Sequence, residues 1–173
     1  VVSPEVSPDT AYGGRYRVST TLTVAGTYSV RVQLSGQDIS GSPYALRVYP
    51  SQEVAQMSTL EGYGAVSNPA KLTAMARLQL RDRFGNALSG PGKLSENCLQ
   101  PPCVSASVSG STVMSAAVRD TADGGYELSY RATRSGDYYL SVTYLGERIA
   151  GSRNLEICGG YCIKRSSLPA SLS

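Results

Sequence analysis

The chain has 173 residues, of which 41% are hydrophobic and 17% charged, a composition typical of a globular protein and not of a disordered one. Its net charge of +3 is small and scattered, so the sequence predicts no nucleic-acid partner. It contains no histidine, the commonest general base and metal ligand, and no apolar run long enough for a membrane span.

The first segment with a clear period is TYSVRVQL, in which Tyr28, Val30, Val32 and Leu34 fall on one face. A period of two with aromatic and β-branched side chains indicates a half-buried β-strand. The glycine-bounded SGQDISGSP that follows predicts a turn into a further antiparallel strand.

The next strong segment is KLTAMARLQLRD, at residues 71–82, whose alanine, leucine, lysine and arginine content would suit a helix. Its apolar residues nevertheless alternate strictly, and the turn residues of DRFGNALSGPG end the run. We therefore predict a strand whose apolar face is formed by Leu72, Ala74, Ala76, Leu78 and Leu80.

Further along, VSASVSGSTVMSAAV predicts two strands, at residues 104–109 and 113–118, around a tight turn near Gly110. Many short strands at a spacing of ~8–12 residues, with turn signals between them, indicate a β-sandwich.

The end of the chain repeats its beginning when the sequence is shifted by 110 residues against itself. No gap is needed between Gly14, aligned with Gly124, and Ser42, aligned with Ser152. The identical positions in between include Tyr16 with Tyr126, Gly26 with Gly136, Tyr28 with Tyr138, Val32 with Val142, Gly36 with Gly146, Ile39 with Ile149, and Gly41 with Gly151. The second copy then loses one residue, which aligns Leu46 with Leu155 and Val48 with Ile157.

Tyrosine is the dominant aromatic residue of both copies. We predict that the repeated Tyr16, Tyr28, Tyr126 and Tyr138 pack inside the sandwich, with hydrogen bonds for their hydroxyls. Tyr130 and Tyr139 lie outside the shared set and are candidates for surface contacts.

Five short motifs occur together in residues 57–157: a Gly-x-Gly opening, a D-x-x-G-N turn, a D-G-x-Y-x-x-x-Y strand, a G-x-Y-x-x-x-V strand and an I-x-G-S close. The last four are carried by Asp82, Gly85 and Asn86, by Asp123, Gly125, Tyr126 and Tyr130, by Gly136, Tyr138 and Val142, and by Ile149, Gly151 and Ser152. Taken together they resemble a filamin-type immunoglobulin-like repeat. The resemblance implies an all-β fold, namely an immunoglobulin-like antiparallel β-sandwich in tandem filamin-type repeats.

The domains expected from this resemblance are the C-terminal half of a filamin-like repeat at 1–50 and a near-complete repeat at 51–157. A cysteine-containing tail, or the start of a further module, is expected at 158–173. About four strands cannot bury the apolar face of a roughly seven-stranded sandwich, so we expect the missing front strands of the first copy to lie upstream or to come from a partner. The alternative is a hairpin layer docked on the second repeat. The short connector RVYPSQEVAQ favours a semi-rigid rod.

The two copies close differently. Pro43 in the first matches the form of the filamin-type close, whereas Arg153 replaces it in the second, which runs directly into CGGYC. The first ending predicts continuation into another repeat, and the second predicts a terminus or a change of module.

The four cysteines form two local pairs, Cys98 with Cys103 and Cys158 with Cys162. In an immunoglobulin-like sandwich the two pairs would lie at opposite ends, which argues against one shared zinc site. We expect two loop-closing disulfides, with free thiols as the main alternative. Disulfides favour an extracellular or cell-surface location, whereas the absence of an N-x-[ST] sequon favours a cytoplasmic or cytoskeletal one.

Two loops come near ligand-binding motifs without matching them. GNALSGPGKL fails the phosphate-loop pattern because Pro91 follows Gly90 where a lysine should stand and Leu94 replaces the hydroxyl. DTADGGYE lacks the alternating oxygen ligands of a calcium loop and predicts a hairpin turn. No serine, cysteine or acidic pair has a plausible partner base, so we predict no enzyme, no cofactor and no metal site.

The filamin resemblance implies mechanical linkage and binding to other protein chains or to neighbouring repeats. In such repeats the third and fourth strands often form a groove where an extended segment of a partner adds as a strand. The expected groove residues are Val104, Ala106, Val108, Met114, Ala116 and Val118. We therefore expect a structural or adhesive module of a larger repeat protein, or alternatively an intracellular cytoskeletal cross-linker or filament scaffold that uses this groove.

Overall fold

The structure, a computed structural model, describes residues 4–89 and 103–159 and divides the chain into two units, Val1–Tyr49 (unit 1) and Pro50–Ser173 (unit 2). Apart from two short 3-10 helices in unit 2, Ala55–Met57 and Tyr63–Ala65, the regular structure of the described residues is β-strand. Among these residues there is no helix of the length and apolarity that crossing a membrane requires.

Unit 1 consists of three antiparallel strand pairs. They are β1 (Glu5–Pro8) with β2 (Tyr16–Ser19), β3 (Gly26–Val30) with β6 (Tyr44–Val48), and β4 (Gln33–Leu34) with β5 (Gln37–Asp38). Ser35 and Gly36, which connect β4 to β5, both have positive φ, as a two-residue type I′ hairpin turn requires.

Unit 2 is a sandwich of two sheets. The first sheet has the order β11-β10-β14-β16-β8, with β15 attached to β14, and the second has the order β12-β13-β9-β7. The strands are β7 (Thr59–Glu61), β8 (Ser67–Pro69), β9 (Ala74–Gln79), β10 (Val104–Ser109), β11 (Val113–Ser115), β12 (Ala117–Asp120), β13 (Gly125–Tyr130), β14 (Gly136–Tyr144), β15 (Glu147–Arg148) and β16 (Arg153–Cys158). All pairings are antiparallel except that of β8 with β16. The fold is an all-β, immunoglobulin-like sandwich, as the sequence predicts.

The core of unit 2 follows from strand alternation. In β9 the inward positions Ala74, Ala76 and Leu78 are buried, and Leu80 just beyond the strand is buried too. They pack with the inward residues of the opposite sheet in one hydrophobic cluster. The predicted strand at this place is confirmed, although Leu72 lies before it and is exposed.

Two glycines explain how the chain enters this sandwich. Gly62 has a positive φ, and Gly64 lies so close to β9 that an added Cβ would be 2.7 Å from the carbonyl oxygen of Met75. The Gly-x-Gly opening therefore lets the 3-10 turn Tyr63–Ala65 press against the backbone of β9.

The repeated segments share their hydrogen bonds as well as their residues. The amide of Val142 donates to Ser152 Oγ over 3.0 Å, and the amide of Val32 donates to Ser42 Oγ over 2.9 Å. The amide of Ile149 donates to the carbonyl of Val142 in unit 2, as does that of Ile39 to Val32 in unit 1. The hydroxyls of Tyr138 and Tyr28 each donate to the carbonyl oxygen four residues earlier. The closing segments of the two units therefore share these hydrogen bonds.

The two units differ in burial. None of residues 4–49 is buried, whereas inward-facing residues at the aligned positions of unit 2, such as Tyr138, Ile149 and Leu155, lie in its core. The prediction that the repeated tyrosines pack inside is confirmed for Tyr126 and Tyr138, but it is wrong for Tyr16, which is 66% exposed, and Tyr28 is half-buried. The surface role predicted for Tyr130 is wrong because this side chain is buried and its hydroxyl donates to the carbonyl of Gly64 over 2.7 Å.

Candidate protein-binding edge

The candidate edge belongs to β10 and the segment that follows it. One side of β10 pairs along its whole length with β14, from Val104 opposite Tyr144 to Ser109 opposite Tyr139. On the other side, β11 pairs with Ser107–Ser109, and the amide of Ala116 donates to the carbonyl of Ala106 over 2.9 Å. Most of the outer edge of β10 is therefore already occupied.

The chain changes sheets at Ala116. β11 lies beside β10 in the first sheet, and β12, which begins one residue after Ala116, pairs with β13 in the second. The single strand predicted at residues 113–118 is therefore two strands in two sheets. Strand propensity alone cannot predict that the chain crosses between the sheets here, because the residues before and after Ala116 alternate in the same way.

The six predicted groove residues face inward. Val104, Ala106, Val108 and Ala116 are buried, and Met114 and Val118 are half-buried against the same core. The apolar residues of each strand lie on the face that the opposite sheet covers. The four buried side chains therefore do not form a surface that a partner can touch. Strand addition at this edge stays a prediction, because it depends on backbone groups.

The outward residues of this region are small and polar, namely Ser105, Ser107 and Ser109 on β10 and Ser115 on β11. Val113 is the exception, since it is apolar and 80% exposed at the start of β11. β11 ends the first sheet on this side, and within the described residues no strand pairs with its outer edge. The open edge is therefore β11. The only sequence signal for this position is the tight Gly110–Ser111 turn, which brings the strand back along β10.

A second group of contacts holds the connector to unit 2 through the D-x-x-G-N turn. Asp82 is buried, and its Oδ2 accepts hydrogen bonds of 2.9 Å from the amide of Ser51 and from Asn86 Nδ2. Its Oδ1 accepts two more, from the amides of Phe84 and Asn86. Burial by itself would raise the pKa of Asp82, but the hydrogen bonds from Asn86, Ser51 and Phe84 outweigh it and hold the pKa below its ordinary value.

Other connector residues are held in the same way. The amide of Val54 donates to the carbonyl of Arg81 over 2.8 Å, and Glu53 Oε1 accepts from the hydroxyl of Tyr144 over 2.9 Å. Gln56 Nε2 donates to the carbonyl of Arg148 over 2.8 Å. The segment from Ser51 to Gln56 is therefore part of unit 2 and not a free linker.

Two of the four cysteines are described, and they lie at opposite ends of one strand. The carbonyl of Cys103 accepts from Leu145, next to the last residue of β14, while Ile157, the neighbour of Cys158, pairs with Gly136 at its first residue. A nine-residue strand spans roughly 25 Å. Neither Cys103 nor Cys158 is a free thiol. Their predicted partners, Cys98 and Cys162, lie outside the described residues, so the two loop-closing disulfides stay predictions.

Within residues 4–89 and 103–159, no three or more His, Cys, Asp or Glu side chains are grouped in a way that could hold a metal ion. Burial raises the pKa of Tyr130 to about 12. The hairpin predicted at Asp123 is confirmed: this carboxylate accepts from Thr121 Oγ1 and pairs with Arg77 beside the β12–β13 turn.

Comparison with known proteins decides what kind of sandwich this is. Residues 53–153 match the Filamin/ABP280 repeat, which is more than half of the chain. The chain belongs to the filamin-repeat family. The matched span contains the Asp82 turn, the β10–β11 edge and the Ile149–Ser152 close, so these features are parts of a filamin repeat.

The relatives include filamin-C of mouse, which is 28% identical over 137 residues, 79% of this chain and 4% of its own length. Filamin-C of rat matches to the same extent. Among solved structures, InvD of Yersinia pseudotuberculosis superposes with a TM-score of 0.51 and 19% identity, covering 96% of this chain and 47% of its own, a likeness of fold. The filamin domain of Lin-41 matches with a TM-score of 0.48 and 24% identity, covering 64% of this chain and all of its own.

Proposed function

We propose that the chain is a non-enzymatic structural or adhesive module of a larger protein, in which filamin-type repeats follow one another as a semi-rigid rod and bind other proteins. The observation that carries the proposal is the repeated close, in which Val32, Ile39 and Ser42 make the same hydrogen bonds as Val142, Ile149 and Ser152. A series of repeats is expected to contain the same closing segment more than once in one chain.

The semi-rigid character rests on the connector. Its residues from Ser51 onward are bonded to unit 2 through Asp82, Arg81 and Tyr144. A connector whose backbone is hydrogen-bonded has lost most of the freedom of a flexible linker. The Asp82 carboxylate joins the connector to this turn, because it accepts hydrogen bonds from the amide of Ser51 and from the amides of Phe84 and Asn86.

A distance measurement tests the rod. Fluorophores introduced as unnatural amino acids at the exposed Tyr12 and Tyr63 would report the distribution of distances between the units by single-molecule energy transfer. We expect a narrow distribution for the native chain and a broader one for Asp82→Asn. Asp123→Asn is the matched control, since it alters another turn carboxylate that does not contact the connector. A native distribution as broad as that of a Gly/Ser linker of equal length contradicts the rod.

The protein-binding part of the proposal, including its intracellular scaffold alternative, rests on the open edge of β11. An edge strand offers unpaired backbone groups to an incoming extended segment, and adjacent side chains set its specificity. Val113–Ser115 supplies such an edge, with the exposed Val113 as an apolar anchor. A three-residue edge predicts weak binding unless the incoming segment also reaches the outer side of β10 at Val104 and Ser105.

A displayed library of extended peptides is a direct probe of this edge. Peptides selected on the native chain should shift the backbone resonances of Val113–Ser115, and Val113→Lys should reduce their binding at least ~10-fold. Val66→Lys places the same charge at another exposed valine of unit 2 and should leave binding intact. Equal losses in the two variants, or shifts confined to other strands, rule out the β11 edge.

The cysteines carry the choice of compartment. We propose that Cys98 with Cys103 and Cys158 with Cys162 form disulfides, which favours the extracellular or cell-surface setting. Thiol titration of the native protein without reductant should then find no reactive thiol. Free reaction of all four cysteines would overturn the extracellular assignment and favour the cytoskeletal one.

A further inference from the structure

Within the described residues, Tyr63 is the most exposed large hydrophobic side chain, at 87%. Its backbone is nevertheless held firmly. The carbonyl of Tyr63 accepts the amide of Val66 over 2.9 Å, and the buried Tyr130 donates its hydroxyl to the carbonyl of Gly64 over 2.7 Å. Gly64 also lies directly against the backbone of Met75. A tyrosine on a fixed backbone loses little conformational entropy when a partner covers its ring.

Met75 and Arg131 lie next to this turn on the outer side of the second sheet. Met75 is 52% exposed and pairs with Ser129, which comes two residues before Arg131. Diagonal neighbours of this kind are about 7–8 Å apart, within reach of long side chains. Because Gly64 touches the backbone of Met75, the residue before it, Tyr63, belongs to the same neighbourhood. An exposed aromatic ring, a thioether and a guanidinium are thus placed together on adjacent segments.

Lys71 adds a second cation at this place. The Nε atom of Arg131 donates to the carbonyl of Lys71 over 2.7 Å, and the amide of Lys71 donates to the carbonyl of Ala132 over 2.7 Å. Both side chains are exposed, and among the described residues neither forms an ion pair. Two like charges held side by side without a carboxylate create a local positive potential that favours an anionic group.

The neighbouring part of the same sheet face is different. Its central positions are cross-strand neighbours of alternating charge, namely Arg119, Glu127, Arg77 and Glu61. Arg119 forms an ion pair with Glu127 over 3.5 Å, and Arg77 forms one with Asp123. Both arginines of this ladder therefore have carboxylate partners, which the two cations beside Tyr63 lack within the described residues.

We propose that Tyr63, Met75, Lys71 and Arg131 (the Tyr63 surface) bind an acidic segment of another protein. An apolar side chain of that segment packs against Tyr63 and Met75, and its carboxylates pair with Lys71 and Arg131. Arg131 uses only its Nε atom within the described residues, so its two Nη groups remain for a carboxylate. This surface goes beyond the open edge of β11, which belongs to the other sheet.

Two features favour a protein segment over a polyanion such as a sulfated polysaccharide. A polyanion gains its affinity from many cations, whereas this place offers two and the net charge of the chain is only +3. Tyr63 and Met75 supply apolar contact area that a polyanion does not use. Tyrosine, methionine and arginine are also the residue types that protein–protein interfaces contain in excess.

A displayed library of random peptides tests the Tyr63 surface. Peptides are selected on the native full chain and depleted on the double variant Tyr63→Ser, Arg131→Ser. We expect the enriched peptides to carry Asp or Glu together with an apolar residue. Each single variant should weaken their binding at least ~10-fold, and the loss in Arg131→Ser should shrink at high salt. The bound peptides should shift the backbone resonances of Met75 and Lys71.

Matched variants separate this surface from other parts of unit 2. Phe84→Ser removes another exposed aromatic ring, and Arg119→Ser removes another arginine of the same sheet face. Both should leave peptide binding unchanged. Tyr63→Phe keeps the ring and should keep the binding, which distinguishes a lost contact from a lost fold. Val113→Lys should also have no effect, and a loss in that variant would assign the peptides to the β11 edge and overturn the Tyr63 surface.

The remaining outcomes each contradict the proposal. A selection that enriches no acidic peptide overturns it, as do equal losses in Phe84→Ser or Arg119→Ser. Binding of heparin that requires Arg131 but is unaltered in Tyr63→Ser identifies a polyanion site instead. Self-association of the native chain that grows with concentration and is abolished by Tyr63→Ser identifies a second copy as the occupant and overturns the proposal as well.

Discussion

Units 1 and 2 share a closing segment of similar sequence and hydrogen bonding, and they differ in whether its apolar side chains are buried in a core. In unit 2 the inward side chains of β13, β14 and β16 are buried by the opposite sheet, while the aligned ones in unit 1 are exposed or half-buried. Their hydrogen bonds agree to within a few tenths of an ångström. A short segment is thus enough to set the backbone hydrogen bonds, whereas burial of its apolar face requires the strands that complete the sandwich.

The largest expected difference between the units comes from matched core truncations. Leu128→Ala in β13 removes a fully buried side chain and should lower the free energy of unfolding of unit 2 by about 2–5 kcal/mol. Val18→Ala, at the aligned position of unit 1, truncates an exposed side chain and should change the free energy of unfolding by less than about 0.5 kcal/mol. Urea denaturation followed by tyrosine fluorescence measures both, and equal losses would remove the distinction between the units.

A smaller effect is expected at the connector turn. Asp82→Asn replaces a buried carboxylate that accepts four hydrogen bonds with an amide that has one acceptor oxygen. We expect unit 2 to lose about 1–3 kcal/mol of unfolding free energy, while the exchange rates of unit 1 amides stay unchanged. Urea titration gives the first quantity and hydrogen exchange the second. A neutral substitution would show that the connector bonds do not contribute to stability.

The same carboxylate predicts a pH dependence for unit 2. The folded-state pKa of Asp82 lies below its ordinary value. The stability that the ionised carboxylate adds to unit 2 is therefore fully present above the unfolded-state pKa of about 4. It is lost as the pH falls through the folded-state value. The urea midpoint of the native chain should therefore decrease more steeply below pH 4 than that of Asp82→Asn. Parallel pH profiles would rule out Asp82 as a source of this dependence.

The smallest effect concerns the matched tyrosine hydroxyls. Tyr138→Phe removes a partly buried hydrogen bond to the carbonyl of Arg134 and should cost about 0.5–1.5 kcal/mol. Tyr28→Phe removes the equivalent bond to Val24 on an exposed surface, where water replaces it, and should cost almost nothing. Thermal unfolding of both variants provides the comparison. A larger loss for Tyr28→Phe than for Tyr138→Phe would contradict the assigned burial.

The sandwich and most of its strands could be predicted because alternation records burial directly. Ala74, Ala76 and Leu78 lie on one face of a strand in both the sequence and the structure. Tyr130 shares its face with Tyr126 and Leu128, so its burial was also readable from a period of two. The exposure of Tyr16 could not be predicted in this way, since burial at this position depends on residues that cover the face and not on its own segment.

The candidate edge was harder to predict for a different reason. Val104, Ala106 and Val108 are the apolar residues of the strand that the filamin resemblance indicates, and apolarity is a property of core positions, whereas an edge is defined by strand order. The crossing between sheets at Ala116 could not be predicted, because it depends on the pairing of β11 with β10 and of β12 with β13. Long-range pairing of this kind leaves no mark on the local pattern.

The most direct test of the comparison is the exchange rate of two matched amides in the native full chain. Ile149 and Ile39 each donate to the carbonyl of the aligned valine, over 2.9 and 3.1 Å. If the core and not the hydrogen bond sets local stability, the amide of Ile149 should exchange only through unfolding of unit 2, at least ~100-fold more slowly than that of Ile39. Similar protection at the two amides would show that unit 1 has a core of its own and would contradict this account.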